Sequence, residues 1–176
     1  MELMKAIAMR KSTRSYKTEQ ISDEVLNTII NAGCAAPVGH GAYDRVHLTV
    51  VQNSDLLERI RKTYADINEN PKANPLYGAP TLIIISGKPH EKFPHAELAN
   101  AACIIENMAL AATDLGIGSV YLWGILSAFN ADKELLKTLN LPEGFIPASS
   151  IALGYPTESL TTEKELKQTI KINTIK

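Results

Sequence analysis

One domain containing both helices and strands is the fold the sequence predicts, and three observations carry that expectation. The chain has 176 residues, a length that suits a single hydrophobic core. The run TLIIIS at 81–86 is apolar without alternation, so a strand there has to be covered on both faces. The stretch AELANAACIIENMALAATDL at 96–115 is rich in alanine and apolar nearly all round, which marks a helix packed within the core.

Taken in order, Leu3, Ala6, Ile7 and Met9 form the stripe of a short first helix that runs into the basic cluster Arg10, Lys11 and Arg14. Ser22, followed by Asp23 and Glu24, reads as an N-cap with an acidic first turn, and Val25, Leu26, Ile29 and Ile30 give that helix its buried face. The glycine- and proline-containing run GCAAPVGHGAYD (33–44) ends it. VHLTVV (46–51) is β-branched and predicts a strand; Ser54 then caps an amphipathic helix through LLERIRKTYADI. NENPKANPLYGAP (68–80) is a proline-rich loop, and GKPHEKFPH (87–95) is the turn beyond the central strand. Gly116 and Gly118 read as left-handed stops of the core helix. A strand at SVYLW, a short helix within NADKELLKTLNL and a strand at IPASSIALGY follow. The charged tail 157–176 closes on IKINTIK, whose alternation suits an edge strand lying on a neighbouring surface, a partner chain's included.

Composition narrows the function classes. A formal net charge of -1 with 45% hydrophobic residues gives no global pull toward nucleic acid, so the basic cluster acts on a local anion. Cys34 and Cys103 form no C-x-x-C motif and no zinc spacing, and are expected as buried thiols in a reducing compartment. The N-terminus is charged throughout and no run reaches the length of a membrane span, which points to a cytoplasmic protein.

Arg10-x-Ser12-x-Arg14 has two readings. Basic residues favour helix C-termini, where they complement the dipole. Alternatively, two guanidiniums and a hydroxyl form a fork for phosphate; in an extended segment alternate side chains share a face, with Lys11 on the other. Phosphate loops of the Walker and Rossmann types are absent, since GIGS follows a helix and precedes a strand. The four histidines, at 40, 47, 90 and 95, have no metal-ligand spacing; His40 in the glycine loop is the one of interest. Asp44 and His47 lack a nucleophile context, which argues against hydrolase chemistry.

In their order along the chain, RKSTR after the first helix, AAPVG, GIGSVYLWG and LPEGFIPASSIALGYP resemble the FMN-dependent nitroreductase family. The resemblance covers nearly all of the chain. It implies an α+β fold, a mixed β-sheet surrounded by helices, and a homodimer with one FMN at each of two subunit interfaces. Residues 1–176 then form one nitroreductase-like domain, with 157–176 an extension packing on the partner subunit. Arg10 and Ser12, with the neighbouring Lys11, match the phosphate-binding element, and Arg14 the cation beside the N1 and C2 carbonyl edge of the flavin. Pro37, Val38 and Gly39 match the loop along the ring, usually given by the other subunit. Tyr121, Leu122, Trp123 and Gly124 match the strand end facing the ring. Lys164 or Lys167 matches the C-terminal cation directed at the phosphate.

The chain departs from the family's pattern where VGHGAYDRV stands in place of the usual S-x-x-N-x-Q-P-W: Val38 replaces Ser, and Gly41 replaces Asn. The departure leaves open whether side chains of that loop hydrogen-bond the flavin, while Gly39 and Gly41 permit close backbone approach. Trp123 has two readings, a core residue or an aromatic against the ring. The implied activity is an NAD(P)H oxidoreductase in which NADH or NADPH delivers hydride to flavin N5 and a nitroaromatic, quinone or similar acceptor takes the electrons. No protein residue is required as acid or base. The loops at 68–80 and 87–95 are long enough to shape an acceptor pocket. The alternatives are a flavin-binding sensor or storage protein, and a flavin-dependent dehydrogenase or oxidase.

Overall fold

A computed structural model describes residues 1–176. Its helices are α1 (Leu3–Met9), α2 (Asp23–Cys34), α3 (Ser54–Ile67), α4 (Ala96–Asp114), α5 (Leu126–Ala131) and α6 (Lys133–Lys137). Its strands are β1 (Val46–Val51), β2 (Thr81–Gly87), β3 (Gly118–Leu122) and β4 (Ile146–Gly154), and two short 3-10 turns, Gly39–Gly41 and Tyr43–Arg45, lead into β1.

The four strands form one antiparallel sheet in the order β1-β2-β4-β3. Its mixed character rests on a single parallel bridge, Ser12 to Ser119, which lays the segment after α1 along the outer edge of β3. All of β2 is buried, as its unbroken apolar run requires. Leu82 and Ile84 point into a core shared with Leu57, Ile60 and Phe129 under α3 and α5, while Ile83 and Ile85 point into a second core with Ile29, Ile105 and Met108 under α2 and α4. A strand buried on both faces thus feeds two cores by the alternation of its own side chains, each isoleucine contributing about 1.5–3 kcal/mol of apolar burial.

Ser22 caps α2 as expected, its side chain accepting from Val25 N. The cap of α3 is Asn53, which accepts from Leu56 N at 2.8 Å; Ser54 is instead the first helical residue. An amide oxygen one residue earlier reaches the orphan donor that the serine was expected to satisfy. Gly116 stops α4 with φ +72°, but Gly118 is the first residue of β3 and serves close packing, since a Cβ there would stand 2.8 Å from Thr13 Cγ2.

One expectation fails. Cys34 and Cys103 are exposed, because Cys34 is the last residue of α2 and Cys103 lies on the outward stripe of α4 with Ala102 and Glu106. Residues 157–176 form neither helix nor strand, and IKINTIK has no ladder to join within its own chain; Ile170 is 81% exposed.

Candidate functional site

Beyond α1 the backbone opens into an extended segment clamped to the sheet. Thr13 N donates to Ser119 O at 2.9 Å, Lys17 N to Tyr155 O at 2.8 Å, and Thr157 N to Ser15 O at 3.2 Å. Alternation then does the sorting: Thr13 is buried while Ser12 and Arg14 face outward. Tyr16 is also buried, and its Oη donates to Thr13 O at 3.0 Å. Burial pushes the Tyr16 phenol well above the ordinary tyrosine range, with the Arg14 charge acting weakly in the opposite sense.

The result is a cleft of about 340 Å³ lined by Lys11, Ser12, Arg14 and Ser15 from this segment and by Thr157 and Glu158 from the start of the tail. Neither Lys11 nor Arg14 forms an ion pair. Arg14 is steadied instead by Tyr77, whose ring centroid lies 5.9 Å from the guanidinium carbon. Lys11 therefore shares the cleft with Ser12 and Arg14, against the expectation of a separate face. Arg10 sits beside it, with Nε 3.9 Å from Glu106 Oε1. The two candidate lysines separate clearly: Lys164 Nζ donates to Arg10 O at 3.2 Å and its amide to Ala8 O, whereas Lys167 Nζ turns to Glu165.

Tyr121 and Leu122 end β3, Leu122 about 10 Å along the strand from Ser119, and Trp123 and Gly124 follow in the turn beyond it, so the strand stops one residue short of the expected SVYLW. Leu122 is buried and its carbonyl accepts from Ser150 Oγ at 2.6 Å, while Tyr121 is exposed and Trp123 is 64% exposed, which excludes the core reading of the tryptophan. The cationic segment and this strand end thus lie on one edge of the sheet.

Pro37, Val38 and Gly39 lie at the other edge, on the turn that enters β1. Val38 is buried, so this loop turns that side chain inward. Gly39 N donates to Asn100 Oδ1 at 3.0 Å, and Tyr43 Oη donates to Ala36 O. Sequence reasoning missed Asn100; its one signal was an amide set among the alanines of α4. Tyr77 was missed too, because nothing in the loop 68–80 announces that residue 77 faces residue 14.

The nitroreductase family model matches residues 7–155. This chain belongs to the nitroreductase family. A nitroreductase from Bacteroides fragilis NCTC 9343, crystallised with bound FMN, is 35% identical, with a TM-score of 0.79 over 99% of this chain and all of that one. One from Desulfitobacterium hafniense DCB-2, also with bound FMN, is 28% identical, with a TM-score of 0.84 over the whole of both chains. A protein of Archaeoglobus fulgidus that carries the provisional name NADH dehydrogenase/NAD(P)H nitroreductase is 32% identical over 88% of this chain and 86% of its own. The family's fold is the α+β arrangement described above.

Proposed function

We propose that the protein is an FMN-dependent NAD(P)H oxidoreductase that passes two electrons from NADH or NADPH to a nitroaromatic, quinone or similar small acceptor. The observation that carries this reading is the cleft beside β3, where Lys11 and Arg14 stand free of carboxylate partners next to the Ser12 hydroxyl. The ammonium and hydroxyl fit the phosphate end of FMN, and the guanidinium beside them fits the electron-rich edge of its ring. FMN, once bound, supplies the two-electron relay between nucleotide and acceptor. Arg10, Lys11 and Ser12 hold the phosphate, Lys164 is the tail lysine that joins them, and Arg14 meets the electron-rich edge of the ring. Backbone groups of Tyr121–Gly124 line the ring, with Trp123 against it. No side chain is assigned as a catalytic acid or base.

The loop Pro37–Gly39 lies four strand spacings from the cationic segment, roughly 19 Å at about 4.8 Å each. One chain is poorly built to close both around one flavin, which supports a homodimer in which each subunit lends its loop to its partner's site. Residues 1–176 then act as one domain, and the exposed Ile170, Ile172 and Ile175 of the tail support its packing on the partner subunit.

Absorbance of the purified protein near 450 nm, and its bleaching by NADH or NADPH with recovery on adding menadione, test this reading. Arg10→Ala and Arg14→Ala should each weaken FMN binding ten- to hundredfold, since a charge-assisted hydrogen bond contributes about 1.5–3 kcal/mol. Unchanged occupancy and unchanged reduction in both variants refute the assignment. Bound flavin that neither nucleotide bleaches favours the sensor reading instead.

A further inference from the structure

The largest cavity of the chain, about 770 Å³, is not the cationic cleft. It opens at the β1 edge, between the turn at Gly39, the loop 88–95 and the start of α4. Its volume is that of a site for a small organic molecule. Arg45, Lys88 and Lys92 line it, and none of the three forms an ion pair. Arg45 is held in place from behind: its Nη2 donates to Lys88 O at 3.1 Å and to Pro89 O at 2.6 Å, and Lys88 N donates back to Arg45 O at 3.0 Å. Three cations thus line the cavity with a single carboxylate, Glu97, whose Oε2 is buried. The N-terminus of the 19-residue α4 adds its positive end to the same cavity.

The lining also carries aromatic rings. The Phe93 ring lies 4.7 Å from His40 and 5.0 Å from His90 between centroids. His40 is presented by a left-handed backbone, φ +58°, fixed by the bond from Gly41 N to Val38 O and by the Gly39–Asn100 bond beside it. Flat rings that pack against each other at these distances offer a face or an edge to another flat ring.

We propose that this cavity is the acceptor's specificity site, and that the acceptor is an aromatic acid: a flat ring carrying a carboxylate or phosphate. The ring packs on Phe93, and the acidic group meets Arg45, Lys88 and Lys92. This inference rests on the proposed function, because the Pro37–Gly39 loop that borders the cavity is the one assigned to the partner subunit's flavin.

The test pairs two acceptors of one shape and different charge, 4-nitrobenzoate and 4-nitrobenzamide, on the FMN-loaded protein. The wild type should prefer the acid in kcat/KM, and Lys88→Met with Lys92→Met should cut the acid-to-amide ratio about tenfold, the scale of one lost charge-assisted contact. Both lysines are exposed, so folding is not at issue. A ratio that stays the same overturns the proposal. So does a change confined to NADPH against NADH, which gives the cations to the nucleotide's 2′-phosphate. Calorimetric titration with benzoate, which is not reduced, reads the cavity separately: tight binding that weakens in the double variant supports the site even if the protein proves unable to oxidise NAD(P)H, and no binding by the wild type sinks it.

Discussion

The two edges of the sheet solve the same problem by different means. At the β3 edge, function is laid on regular structure: an extended segment pairs with Ser119, buries Thr13 and Tyr16, and thereby aims Ser12 and Arg14 outward. At the β1 edge no strand does the aiming. Two 3-10 turns, a left-handed histidine and one side-chain amide hold the loop, so its shape depends on particular contacts and not on a ladder. The lesson is that the outward cations of one edge are carried by sheet geometry, whereas the surface of the other is carried by a loop tied at single points.

Substitutions can break that contrast, and the largest effect is expected where the cationic segment meets β3. Gly118→Ala drives a methyl into Thr13, 2.8 Å from Cγ2 and 2.9 Å from Oγ1, and should destabilise the protein by about 1–3 kcal/mol while loosening FMN. Thermal unfolding with and without added FMN measures both. A smaller loss, about 1 kcal/mol, is expected for Tyr16→Phe, which removes the bond to Thr13 O. The sign with pH follows from burial: the folded phenol titrates above its unfolded value near 10, so its contribution is complete below about pH 10 and falls as pH rises past that point, where the unfolded chain ionises first. Denaturant titrations at pH 8 and pH 11 should therefore show a shallower alkaline loss in the phenylalanine variant than in the wild type. The smallest effect belongs to the β1 edge. Asn100→Ala frees Gly39 N and should speed amide exchange across 38–42, with global stability falling by less than about 1 kcal/mol. Exchange unchanged at Gly39 would show that the loop is held by its turns alone.

How much of this was legible in the sequence differs by edge for the same reason. The β3 side was readable because its signals are local: the Arg10-x-Ser12-x-Arg14 spacing, the unbroken run of β2, and Gly116 ending α4, although alternation put Lys11 on the wrong face. Even there, the reading missed that Gly118 exists for Thr13, since close approach between residues a hundred positions apart leaves no local pattern. The β1 side was legible only as a break. Asn100 belongs to a helix far along the chain, and the gathering of Arg45 with Lys88 and Lys92 depends on β1 and β2 being neighbours, which strand propensity alone does not say. The expectation of buried cysteines failed because an outward stripe is a property of packing.

The proposed sharing of a flavin between opposite sheet edges of two subunits would also have a consequence for inheritance. Two defective alleles, one damaged in the arginine segment and one in the loop before β1, would each make a dead homodimer, yet a cell carrying both assembles hybrids in which one of the two pockets is whole. Partial rescue of one lesion by the other is what this architecture leads a geneticist to look for.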